Sequence, residues 1–218
     1  MRRRLNPQQR RHELCDAAVD VLGNSGARGL THLEVDRRAG LPAGTASAYY
    51  RTREALLHAI AARITELDLA DLGRMTEKAS ADVGATPGIA ELASVVTMAA
   101  RDPWLTRTRA RFELALQAGR DPVLGEILQQ TNSRFTALAR QAVKGWQDPG
   151  RPKDDVLIDD QTVAALTFVD GVMMGFVRGV STFHDQHHLA RVLHEIIEGA
   201  GRLNAANDAE HRGQRRPR

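Results

Sequence analysis

Cysteine is almost missing from this chain: Cys15 stands alone among 218 residues, so no internal disulfide can form. Set among the apolar residues of a first helix, it reads as a small packed residue rather than a redox sensor. Aromatic residues are scarce at 4%, which leaves few stacking surfaces for a large planar ligand. No uninterrupted apolar run reaches membrane length, since the best stretch, Val163 to Val180, contains Asp170 and Arg178. The opening residues, MRRRLNPQQRRHEL, lack the apolar core of a signal peptide. Together these absences point to a cytoplasmic protein with no membrane partner. A Gly-rich phosphate loop with lysine, a G-x-S-x-G elbow and a Cys/His nucleophile setting are missing too. The chain is therefore read as no enzyme, with no catalytic residue and no cofactor.

Strand alternation and internal repeats are also lacking, and the periodicity is helical throughout, so the expected architecture is all-α. With 42% hydrophobic residues, a chain of this length can bury one small domain and a larger one. The most informative stretch is Thr31 to Arg53, THLEVDRRAGLPAGTASAYYRTR. Thr31 with Glu34 three residues on is a capping box for a short helix, and Gly40 ends that helix. Pro42 then suits the opening of a second helix, expected from about Ala43 to Tyr50. Two short helices joined by a glycine turn make a helix-turn-helix, whose second helix enters the DNA major groove; an ordinary helical hairpin is the plainer alternative. The small and hydroxylated side chains of Ala43, Gly44, Thr45, Ala46, Ser47 and Ala48 allow close approach to phosphates and base edges.

Charge favours the DNA reading. Arg2, Arg3, Arg4, Arg10 and Arg11 crowd the first eleven residues, which hold no acid, and form a cationic arm that can follow phosphates or enter a minor groove. A second basic run, Arg212, Arg215, Arg216 and Arg218, reads as a solvated tail.

Residues 8 to 57 resemble the DNA-binding domain of the TetR (tetracycline-repressor-like) family of bacterial transcription factors. The resemblance rests on Leu14, Ala17, Ala18, Val21 and Leu22 of the first helix, Gly26, Gly29 and Leu30-Thr31, Val35 to Gly40, Gly44-Thr45, Tyr50, and Arg53-Glu54-Ala55-Leu56-Leu57. Asp36 stands where the family usually has a small apolar residue, Ser47 where it has a tyrosine, and Arg53 where it has a lysine. The resemblance implies phosphate contacts from Thr31, Thr45, Ser47 and Arg53, and base reading by Ala43, Gly44 and Tyr49. It also implies a ligand-responsive regulator, a repressor, that binds a palindromic double-stranded DNA operator as a homodimer. The implied domains are 1–57, an arm plus a three-helix DNA-binding domain; 58–204, a larger helical ligand-binding and dimerisation domain; and 205–218, a disordered basic tail.

Beyond Arg53, Leu56, Ile60, Ile64 and Leu67 mark a long helix. Asp82 to Gly88 breaks the pattern, and helices follow from Ile89 to Arg101, from Asp102-Pro103 with Leu105, Phe112 and Leu116 on one face, and from Asp121-Pro122 to before Gly145. Asp148 to Asp155 reads as a loop. The next helix, Asp159 to Gly179, repeats Gly171, Gly175 and Gly179 at every fourth residue; interior glycines cost about 1 kcal/mol each against alanine, and close approach of another helix would compensate. That neighbour is either a second copy or an element of the same chain. A last helix from about His188 carries Leu189, Val192, Leu193, Ile196 and Ala200 on one face. The family resemblance makes these two helices the dimer interface and places a small-molecule inducer among the helices of the larger domain. Trp104, Phe112, Gln117, Phe168, Asp170, Met173 and Met174 are the candidates to contact it, although the apolar ones serve equally as core. His184, His187 and His188 cluster before the last helix; they read as solvated loop histidines, with no metal assigned.

Overall fold

The computed structural model describes residues 6–80, 88–147, 154–180, 183 and 185–214, without the side chains of 72, 75–80, 146 and 201–214. Among the described residues there are nine helices and no strand, as expected of an all-α chain: α1 Pro7–Gly29, α2 His32–Ala39, α3 Thr45–Tyr49, α4 Arg53–Ser80, α5 Ile89–Met98, α6 Trp104–Ala118, α7 Pro122–Trp146, α8 Asp155–Val177 and α9 Gln186–Gln214. Arg2, Arg3, Arg4, His184, most of the Asp82 to Gly88 break and most of the 148–155 loop lie outside the described residues.

The helices form two packing units, Met1–Met75 with Arg101–Ser133 and Thr76–Ala100 with Arg134–Arg218. These units cut across the boundary read at residue 57, because α6 and the first part of α7 share one core with α1 to α3. Leu14, Leu22, Leu30, Val35, Leu56, Ile60, Ile64, Leu114 and Leu124 are all buried in it. α1 opens on a reciprocal cap, in which Gln9 N–H donates to Asn6 Oδ1 at 2.8 Å and Asn6 N–H to Gln9 Oε1 at 3.3 Å. It kinks at Gly26, and just beyond the kink Ala27 N–H donates to Glu113 Oε2 of α6 at 3.1 Å.

The buried face of α6 differs from the expected one. Thr106, Arg107, Thr108, Ala110 and Leu114 point inward, while Leu116 is exposed. The reason is polar: Arg107 Nη1 bonds Asp71 Oδ2 at 2.7 Å and Asp68 Oδ1 at 3.2 Å, and Arg111 Nη2 bonds Asp68 Oδ2 at 2.6 Å. On α4 the apolar stripe Leu56, Ile60, Ile64 is continued inward by Asp68, which meets these guanidiniums. On α7, Leu124 and Thr131 are buried in this unit, Ala139, Ala142 and Val143 are buried further along the helix, and Val123 is exposed.

In the second unit α9 packs on both α5 and α8. Ala93 and Val96, Ile158, Ala165, Val169 and Phe176, and Leu189, Leu193 and Ile197 form its core. Gln161, buried on α8, donates through Nε2 to the Ile197 carbonyl at 2.9 Å and ties α8 to α9. α8 starts before Asp159 because Asp154 caps it, its Oδ1 accepting from Val156 N–H at 3.0 Å and Leu157 N–H at 3.2 Å. α7 runs through Gly145 to Trp146, and α9 runs through Gln214, so residues 205–214 of the expected tail are helical.

Candidate nucleic-acid interface

α2, the turn 40–44 and α3 are held together by non-local polar contacts as much as by their small apolar faces. Thr31 caps α2 as expected, its Oγ1 accepting from Glu34 N–H at 3.1 Å. The reciprocal half of the capping box is not formed, because Glu34 turns to Arg37 instead. Thr31→Ala should cost about 1 kcal/mol of stability through the orphaned Glu34 N–H, read as a shift in urea midpoint; an unchanged midpoint would show that water replaces the cap.

Gly40 ends α2 in the left-handed conformation anticipated for it. The second helix is shorter than expected. Pro42 and Ala43 lie in the turn, Gly44 is the N-cap with φ 91°, and α3 proper begins at Thr45. A side chain at position 44 would be strained at that φ, which accounts for glycine there. Gly44 has no side chain to cap α3, and Asp36 of α2 does so instead. Its carboxylate accepts from Gly44 N–H at 2.8 Å and from Ala46 N–H at 2.7 Å, and the residue is 1% exposed. The position that departs from the family pattern is thus a polar fastener between the two helices.

The remaining candidates divide between solvent and scaffold. Thr31, Ala43, Gly44 and Ser47 are exposed, and Thr45 and Tyr49 half-buried. Thr45 Oγ1 donates to the Pro42 carbonyl at 2.6 Å and Ser47 Oγ to the Gly44 carbonyl at 3.0 Å, so the expected phosphate contact of either hydroxyl would compete with these carbonyls for its one proton. The Arg11 guanidinium lies 5.7 Å from the centroid of the Tyr49 ring, a cation–π stack that holds both near α3. Arg53 is an intramolecular cap: Nη1 donates to the Leu30 carbonyl and Nη2 to the Ala27 carbonyl, each at 2.6 Å. Its expected phosphate contact would compete with these bonds to the end of α1. His32 Nε2 meets the Tyr50 carbonyl at 2.6 Å, and Arg38 meets Asp20 of α1 at 3.0 Å. Cys15 is buried with its Sγ 3.1 Å from the Tyr50 hydroxyl. Burial pushes both the thiol and the phenol up, so neither ionises near neutral pH, in keeping with a packed cysteine.

The ligand candidates fall in both units. Trp104 donates through Nε1 to Asp71 at 3.1 Å, Gln117 to the Glu113 carbonyl of its own helix at 3.2 Å, and Phe112 is half-buried. In the other unit Asp170 is exposed and Met173 and Met174 are half-buried. There a groove of 380 Å³ is lined by Thr167, Phe168, Gly171, Val172, Gly175, Val180 and Phe183. Of the ligand candidates Phe168 borders it, in edge contact with Phe183 at 5.6 Å.

The glycine and apolar stripes expected at a dimer interface are only partly free for one. Gly179, at φ 73°, terminates α8, and a Cβ on Gly175 would come within 2.8 Å of the Val180 carbonyl, so both have reasons within the chain. A Cβ on Gly171 would meet nothing within 4 Å. Leu189 and Leu193 are fully buried in their own unit, which removes them from any contact with a second copy, while Val192, Ile196 and Ala200 are half-buried. Among the described residues no group of three or more His, Cys, Asp or Glu is placed to hold a metal. His187 and His188 are exposed, with the His188 ring 5.0 Å from that of Phe183.

An all-helical chain whose second and third helices are capped, crossed and fastened in this way has the build of a helix-turn-helix regulator. A family profile described as "Tetracyclin repressor-like, C-terminal domain" matches residues 83–201, more than half the chain. The chain belongs to the tetracycline-repressor-like family, whose members are DNA-binding transcription factors and not enzymes. Solved structures agree in fold. A transcriptional regulator from Rhodococcus sp. Rha1 is 20% identical over 87% of this chain and 96% of its own, with a TM-score of 0.68. A TetR-family member from Streptomyces coelicolor A3 is 23% identical over 86% and 98%, with a TM-score of 0.64. The multidrug binding protein EbrR, complexed with imidazole, is 23% identical over 86% and 94%, with a TM-score of 0.58. No curated protein matches the chain. Among the described residues no helix is long and apolar enough to cross a membrane.

Proposed function

We propose that this regulator is a cytoplasmic repressor that binds an inverted-repeat operator as a homodimer and is released by a small-molecule inducer. The observation that carries the DNA reading is the exposed face of Ala43, Gly44, Ser47 and Ala48, presented by α3 and the turn before it, which Asp36 pins from behind. These side chains are short, so methyl contacts, phosphate contacts and DNA shape contribute more to sequence choice than bidentate bonds to bases. Thr31, Thr45, Ser47 and Arg53 are assigned to phosphates; Ala43, Gly44 and Tyr49 to bases; and Arg2, Arg3 and Arg4 to an electrostatic arm.

Two copies are needed because one small head covers too few base pairs, and a two-fold pair reads two half-sites. The exposed residues Val156, Val163, Thr167 and Gly171 of α8, with Val192, Ile196 and Ala200 of α9, are the surface assigned to that pairing. An inducer is supported by fold likeness to EbrR, which is complexed with ethidium, malachite green and proflavin in its own structures.

Selection from a random double-stranded DNA pool tests the reading, followed by a salt titration on the winning sequence. An inverted repeat is expected to emerge. No enrichment, with only weak salt-sensitive binding, would overturn it. On the selected sequence Tyr49→Ala should lower affinity by roughly tenfold or more while changing binding to a scrambled duplex little; equal losses would end the role of Tyr49 as a reader.

A further inference from the structure

We infer that Asp36 is a specificity-determining positioning residue, whose buried carboxylate sets the pose of α3 and withholds the amides of Gly44 and Ala46 from DNA. The inference rests on the DNA-reading role proposed above. α3 has only five residues, too few to hold itself by helix propensity. Its first N–H groups have no partner within the helix, and its N-cap is a glycine without a side-chain cap. The missing acceptor comes from α2, with one carboxylate oxygen on Gly44 N–H and the other on Ala46 N–H.

Burying a carboxylate is costly unless its oxygens are bonded, and here both partners are backbone amides of the element to be positioned. Two bonds to amides two residues apart fix the rotation of α3 about its axis as well as its distance from α2. That rotation matters because the exposed face offers Ala43, Gly44, Ser47 and Ala48, none long enough to reach a base edge by changing rotamer. The backbone itself must be in place. There is a second consequence. Helix N-termini are ready anion sites, but the amides of Gly44 and Ala46 are already taken. Phosphate anchoring therefore falls to hydroxyls and guanidiniums around α3.

Asp36→Asn is nearly isosteric but sets an NH2 group against one of the two amides. Amide hydrogen exchange on the free protein should be at least about tenfold faster at Gly44 and Ala46 in this variant, with the Val21 and Leu22 amides of α1 unchanged. Affinity for the selected DNA should fall by at least about tenfold, with binding to a scrambled duplex within about twofold of wild type. Unchanged exchange at the two amides, or equal losses on both duplexes, would overturn the inference. Asp36→Glu serves if the asparagine variant does not fold: it keeps both oxygens but displaces them by one methylene, so reselection should return a different half-site. The same half-site would overturn the inference. A wild type with no preferred sequence would overturn the DNA reading and the specificity role together, and the exchange result separates that outcome from a misassigned carboxylate.

Discussion

Arg107→Met is expected to destabilise the unit that contains α1 to α3 by about 3 kcal/mol, more than any substitution on the exposed face of α3. Arg107 is 9% exposed and bridges two carboxylates of α4, Asp68 at 3.2 Å and Asp71 at 2.7 Å. Removing one member of a buried charge cluster leaves the others without compensation, which commonly costs 3–5 kcal/mol. The low end applies, because Asp68 keeps Arg111 at 2.6 Å and Asp71 keeps the Trp104 N–H. The effect carries a pH signature. Burial alone would push the Asp71 carboxyl up, but the bonds from Arg107 and Trp104 outweigh it and hold the group below the usual aspartate range. A carboxylate lowered in the folded state stabilises above its unfolded value, about 3.9, and loses that contribution as pH falls through the lower folded value. The difference in urea midpoint between wild type and Arg107→Met should therefore be full at pH 7 and shrink below about pH 4. A constant difference would mean that Arg107 acts by packing its stem rather than by charge.

Gly23→Ala is the second large effect, at about 3 kcal/mol, near the top of the range for overpacking. A Cβ on Gly23 would overlap the Thr106 carbonyl oxygen of α6 and come within 2.8 Å of Thr106 Cγ2. The obstacle is backbone, which no rotamer change relieves, so α1 and α6 must separate. The core residues Leu14, Leu22 and Leu114 lose packing when they do. Gly73→Ala is the matched control. Its Cβ would meet nothing within 4 Å, and alanine in mid-helix should raise stability by up to about 1 kcal/mol. Thermal or urea unfolding of the two variants checks the contrast, and equal small effects would show that the α1–α6 crossing can relax.

The sequence by itself determined the elements whose causes are local: the cap of α2 by Thr31, its end at Gly40, the long α4, and the helix starts near Asp102-Pro103 and Asp121-Pro122. Each depends on a few neighbouring residues, so a chain read in order reveals it. The family resemblance was legible for the same reason, being carried by short motifs in a constant order. Only the tertiary structure decided what joins distant residues. Asp36 read as a departure from pattern because the amides it holds lie eight and ten residues away, across a turn. Arg53 is read as a phosphate contact by family resemblance, and that it also bonds the Leu30 and Ala27 carbonyls is hidden in the sequence because they belong to the end of α1. Arg107 stayed hidden because a buried arginine is paid for by carboxylates of another helix. The glycines of α8 and the leucines of α9 mark apolar or small faces in the sequence; whether such a face is left free for a second copy depends on which elements of its own chain pack on it, and Leu189 and Leu193 are already covered.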